Sequence, residues 1–124
     1  MRLSKEQERL CRELGNKDGL QASLGCQANI LDSRGDLDGS MALRKEQERL
    51  CRELRNMKGV SISLALQAVL LNSTPGRRRE ARRLADEAVA IASLHYPLLL
   101  PQIKGIRDSI SSGDDEERSM PSVN

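Results

Sequence analysis

The chain has 124 residues, 38% of them hydrophobic and 31% charged, which is one domain's worth of helix-forming sequence or a short piece of an array. Its 20 basic and 18 acidic residues leave a net charge of +2, so no global field draws nucleic acid or acidic lipid. A single tyrosine, Tyr96, with no Phe or Trp, excludes a thick aromatic core and leaves Leu, Ile, Val and Ala to fill thin layers between helices.

The first helix is predicted over 2–14, with Leu3, Leu10, Cys11 and Leu14 on one buried stripe and Glu8 and Arg12 at i,i+4 spacing on another face. Gly15-Asn16 and Gly19 break it. A second helix over about 18–33 carries Leu20, Leu24, Ala28 and Leu31 inward, and Arg34-Gly35-Asp36 then turns the chain. Asp36 is the expected N-cap of a helix over about 36–54. The next, over about 58–72, repeats the inward stripe as Val60, Leu64, Ala68 and Leu71. Asn72-Ser73-Thr74-Pro75-Gly76 is a strong turn, one residue longer than its counterpart. A helix over about 77–94 buries Ala81, Leu84, Ala88 and Ile91. The last starts near Pro101, where proline is tolerated, with Ile103, Ile106 and Ile110 inward. From Ser111 onward no apolar periodicity remains, and disorder is expected.

The decamer KEQERLCREL at 5–14 recurs at 45–54. Across 3–31 and 43–71, 18 of 29 positions are identical. A fixed period of this size is the signature of stacked repeats, each burying its apolar face only against its neighbours.

Within QANILDSRGDLDGSMAL, residues 27–43, Ala28 is a small residue in one helix, Gly35-Asp36 a turn, and Ser40 a small residue in the next helix. The later copy has Gly76 at its turn, then Glu80-Ala81 and Ala88. This pattern resembles the tetratricopeptide repeat, a helix A, a Gly-Asp turn and a helix B with spaced small residues. The period of 40 exceeds the usual ~34, and Leu24, Leu31 and Leu37 stand where the family has large aromatics. In this it is similar to the long-period units of kinesin light chains and of the C-terminal arrays of large signalling NTPases. HEAT and armadillo repeats, with periods of about 40–47, remain the structural alternative.

The resemblance implies an all-α solenoid of about six antiparallel helices. It divides the chain into a half repeat at 1–16 (helix B only), repeats at 17–56 and 57–96, a capping helix at 97–112 and a disordered acidic tail at 113–124. Met1 aligns with Met41 and Leu3 with Leu43, so the register starts inside a helix B. A fragment, internal start or short isoform of a longer array is expected, with self-association through the uncapped first helix. The resemblance further implies a non-enzymatic scaffold that binds a protein or peptide on the face formed by successive A helices. The implied groove residues are Ala22, Gly25, Asn29, Asp32 and Ser33, then Ile62, Ala65, Val69, Asn72 and Ser73. Asn29 matches the asparagine that chaperone-binding members use to hold a peptide backbone. Gly25 stands where they have a lysine and Val69 replaces a second partner, so a clamp for chaperone C-terminal carboxylates is not expected.

Arg77, Arg78, Arg79, Arg82 and Arg83 crowd the start of a helix, where positive charge opposes the dipole. They form the alternative site, for an acidic ligand or nucleic acid, although no aromatics are interleaved for base stacking and Glu80, Asp86 and Glu87 dilute the charge. The acidic run Asp114 to Glu117 could also reach them. Arg34-Gly35-Asp36 is read as a repeat turn and not as an adhesion motif. Ser111 and Ser112 have an acidic residue three positions on, an acidophilic-kinase pattern, and Ser122-Val123-Asn124 lacks the apolar end of a PDZ ligand.

His95 is the single histidine, without a patterned partner, and no phosphate loop, carboxylate pair or metal spacing occurs, so no catalytic, cofactor or metal site is expected. Cys11, Cys26 and Cys51, odd in number and lacking a CxxC, read as small buried or half-buried residues in a reducing compartment. With neither signal peptide nor membrane span visible, the expected location is the cytoplasm, with the nucleus open to it.

Overall fold

Asn16, Asp36 and Asn56 recur at intervals of 20 residues, and each joins two helices. The computed structural model describes residues 2–119, with side chains as far as Ile110. Its helices are α1 (Arg2–Leu14), α2 (Lys17–Ser33), α3 (Leu37–Glu53), α4 (Met57–Asn72), α5 (Arg78–His95) and, after a 3-10 turn at Pro97–Leu99, α6 (Leu100–Ser119). Among the described residues there is no strand.

The links are short because one residue serves both helices. The backbone N–H of Asn16, Asp36 and Asn56 donates to the carbonyls of Cys11, Leu31 and Cys51, at 2.8, 2.9 and 2.8 Å, closing the helix before it. The side-chain oxygen of each accepts from the N–H of Gly19, Gly39 or Gly59, at 3.0, 2.9 and 3.0 Å, opening the helix after it. The preceding residue takes the left-handed conformation: Gly15 (φ 69°), Gly35 (φ 78°) and Arg55 (φ 56°). Gly19 therefore lies inside α2 and is no breaker. A Cβ there would sit 2.8 Å from Cys11 Sγ, and one on Gly59 2.6 Å from Cys51 Sγ, so glycine lets each helix start against a buried thiol. The longer link before α5 has no side-chain cap at Arg77 and turns at Gly76 (φ 80°).

Each helix packs on its neighbours in sequence, and α6 also reaches α4, so the elements stack in a solenoid-like series. The core is thin and lies in three clusters. Cys11, Leu20, Leu24 and Leu50 join α1, α2 and α3. A larger group around Val60, Leu64, Ala88, Ala92 and Ile103 joins α4, α5 and α6, and takes in Cys51 of α3. Ala68, Ala81, Ala85 and Ile110 close the far side of that bundle. The predicted stripes of α2, α4, α5 and α6 are buried or half-buried throughout.

α1 departs from expectation. Only Cys11 of its predicted stripe is buried; Leu3 and Leu14 are each 80% exposed and Leu10 47%. α1 docks on α2 through a different line of residues, Ser4, Glu8 and Cys11, largely by hydrogen bonds. The end of α6 departs too, since its helical backbone runs through 113–119, where a disordered tail was expected. No proline intervenes between Pro101 and Pro121 to stop the helix, although Gly113, Asp114 and Asp115 are poor helix formers. The expectations for Met1, for the side chains of Ser111, Ser112 and Asp114 to Glu117, and for 120–124 lie outside the described residues.

Candidate functional site

The rotation of α2 and α4 is set by two buried polar residues in each. Ser23 Oγ donates to the Ser4 carbonyl at 2.7 Å, and Gln27 Nε2 to Glu8 Oε1 at 2.8 Å. In the next copy Ser63 Oγ donates to the Arg44 carbonyl and Gln67 Nε2 to Glu48 Oε1, both at 2.8 Å. These joints, with the leucines beside them, turn one stripe of each helix away from the core. On α2 that stripe is Ala22, Cys26, Asn29 and Ser33; on α4 it is Ile62, Leu66, Val69 and Ser73. None of the eight is charged, in a chain with 31% charged residues. Ile62 is 37% and Val69 44% exposed, and Leu66 is half-buried.

Six of the ten expected groove residues, Ala22, Asn29, Ser33, Ile62, Val69 and Ser73, are exposed on this face. Gly25 and Ala65 are buried and do not line it. A Cβ on Gly25 would lie 2.7 Å from Gln47 Nε2, so the glutamine of α3 covers that position. In the later copy Ala88 takes the place of Gln47 and packs in one cluster with Ala65, a smaller residue opposite a larger one. Asp32 is half-buried because it serves α3: Arg44, 3% exposed, donates through Nη2 to Asp32 Oδ2 at 3.1 Å and to Asn29 Oδ1 at 2.6 Å. Asn72 is half-buried with a buried, unpartnered Oδ1, since Ala85 stands where an arginine would answer it. Sequence reasoning missed Cys26 and Leu66, each at the centre of its stripe. Their spacing, four residues after 22 or 62 and three before 29 or 69, was the available signal.

The arginines of the cluster differ in exposure and pairing. Arg77 Nη1 donates to Glu80 Oε1 at 3.0 Å. Arg78 and Arg82 are half-buried and engaged, while Arg79 and Arg83 are exposed. Arg83 shares a cleft of about 380 Å³ with Lys45, Arg49, Arg52, Glu48 and Glu80.

No family model, curated protein or solved structure matches the chain. Among the described residues no group of three or more His, Cys, Asp or Glu could hold a metal, and no helix is long and apolar enough to cross a membrane. All three cysteines are free. Cys11 and Cys51 are buried as expected, and burial pushes the Cys51 thiol up. Cys26 is exposed against expectation, because it falls on the outward stripe of α2.

Proposed function

We propose that the chain is a non-enzymatic protein-interaction module of tetratricopeptide-like type, and that its partner lies along the exposed stripes of α2 and α4. The observation that carries this reading is an uncharged, partly apolar surface on α2 and α4, in a chain whose other exposed helices, α1, α3 and α5, are rich in Glu, Arg and Lys. The partner is a peptide segment with apolar side chains for Ile62, Leu66 and Val69. Because Arg44 occupies Asn29 Oδ1, the Asn29 amide nitrogen is the group offered to a ligand carbonyl.

Binding of the full chain to a peptide array is the test. Val69→Glu should abolish capture, since a carboxylate would have to be desolvated against an apolar ligand. Asn29→Ala should weaken it. Capture that survives both changes excludes this face. A second reading, an acidic ligand or nucleic acid at the basic cluster, draws on exposed Arg79 and on Arg83 at the cleft it borders. Binding there must weaken steeply with salt, whereas binding at Ile62 and Val69 must not.

A further inference from the structure

α1 and α3 carry the same decamer in different surroundings. On α3 the line Leu43, Gln47 and Leu50 is the seat of α2, with Leu54 exposed at its end. Leu50 is 4% exposed in a cluster with Leu20 and Leu24. Gln47 Nε2 donates to Gln21 Oε1 at 3.2 Å and lies over Gly25. Lys17 Nζ, at the start of α2, pairs with Glu53 at 3.2 Å. The matching line on α1 is Leu3, Gln7, Leu10 and Leu14, with Glu13 for Glu53, and every one of these residues is exposed.

A second correspondence lies on the edge of the same helices. Arg12 of α1 donates to Glu46 of α3 at 2.8 Å, and Arg52 of α3 to Glu87 of α5 at 2.9 Å. The equivalent carboxylate of α1 is Glu6, which meets Arg9 of its own helix at 3.9 Å.

We propose that the Leu3–Gln7–Leu10–Leu14 face of α1 docks a helix of the α2 type, carried by another segment bearing this repeat, on the same terms as α3 docks α2. The occupant presents two leucines four residues apart, a glycine after the second to admit Gln7, and a lysine at its start for Glu13. Two copies of α1 are a poorer match. In heptad terms Glu6 and Glu13 flank the leucine seam, and antiparallel pairing sets the Glu6 of each copy against the Glu13 of the other. This docking face is separate from the stripes of α2 and α4.

The test titrates the full chain into a fluorescent peptide of residues 17–33, held helical by a hydrocarbon cross-link between positions 22 and 26, with helicity checked by circular dichroism. Saturable binding is expected, weakened about tenfold or more by Leu10→Glu in the chain and by Leu24→Glu in the peptide. Leu10 is half out in solvent, so its variant should melt like the parent, separating lost binding from lost folding. A helical peptide that fails to bind overturns the proposal. Binding unaffected by Leu10→Glu also overturns it, because the peptide would then be displacing α2 from α3. So does a dimer of the chain alone that Leu10→Glu abolishes and the peptide does not compete away.

Discussion

Arg55 occupies the left-handed position that Gly15 and Gly35 fill in the sister links, at φ 56°. An L-residue with a Cβ is disfavoured there by about 1–2 kcal/mol, and a glycine returns part of that as unfolded-chain entropy. Arg55→Gly is therefore expected to stabilise the chain by about 0.5–1 kcal/mol, read as a higher denaturation midpoint at an unchanged slope. Arg44 and Asp32 should behave asymmetrically. Asp32→Ala strands a guanidinium that is 3% exposed and should cost about 3 kcal/mol. Arg44→Met leaves only a half-exposed carboxylate uncompensated and should cost clearly less; equal losses by denaturant titration would show that the pair does not control this site. That Asp32 and Gly25 serve α3 and not a ligand was illegible in the sequence. Both depend on which long side chain of α3 lies over α2, and the decamer's Gln47 and the neighbouring Arg44 give no hint of direction.

Helix boundaries were legible because they rest on local chemistry. Asp36 as a cap and the strong turn around Pro75-Gly76 need nothing beyond adjacent residues. The Ser-Gln pairs 23/27 and 63/67 were not recognised as buried joints, since a polar residue at helical spacing reads as solvent-facing until its partner is known. The joint between α1 and α2 has a pH signature. The Gln27 hydrogen bond above all, then Arg12, holds Glu8 below its ordinary 4.5, against an opposing effect of burial. The unfolded chain thus takes up this proton at a higher pH than the folded chain does. The stabilisation is complete above the unfolded value and is lost as pH falls through the lower folded one. Glu8→Gln should lose less stability than the parent between neutral pH and about pH 3.5, measured by urea midpoints at both. An identical pH dependence would remove Glu8 from the account.

The whole molecule holds its core unevenly. The cluster joining α1 to α3 contains four buried residues, whereas the one joining α4, α5 and α6, with Cys51 of α3, contains eight. Opening α1 exposes little that is not already wet. Backbone amides of residues 3–14 should exchange faster than those of 58–72, by hydrogen exchange at native conditions; equal protection would mean that the chain opens as one unit. The duplication revealed this architecture in the sequence, and its register marked the first helix as uncapped; which line of α1 docks on α2 was not legible, because identical residues in 5–14 and 45–54 carry no mark of what lies beside them. The arginine bridges add a vectorial property. Each is donated by the earlier helix and accepted by the later one, Arg12 to Glu46 and Arg52 to Glu87. In the same register α5 has Ser93 where the next arginine would stand. The bridges thus give the stack a direction, like hooks and eyes all sewn the same way round, and the row of guanidinium hooks stops at α5.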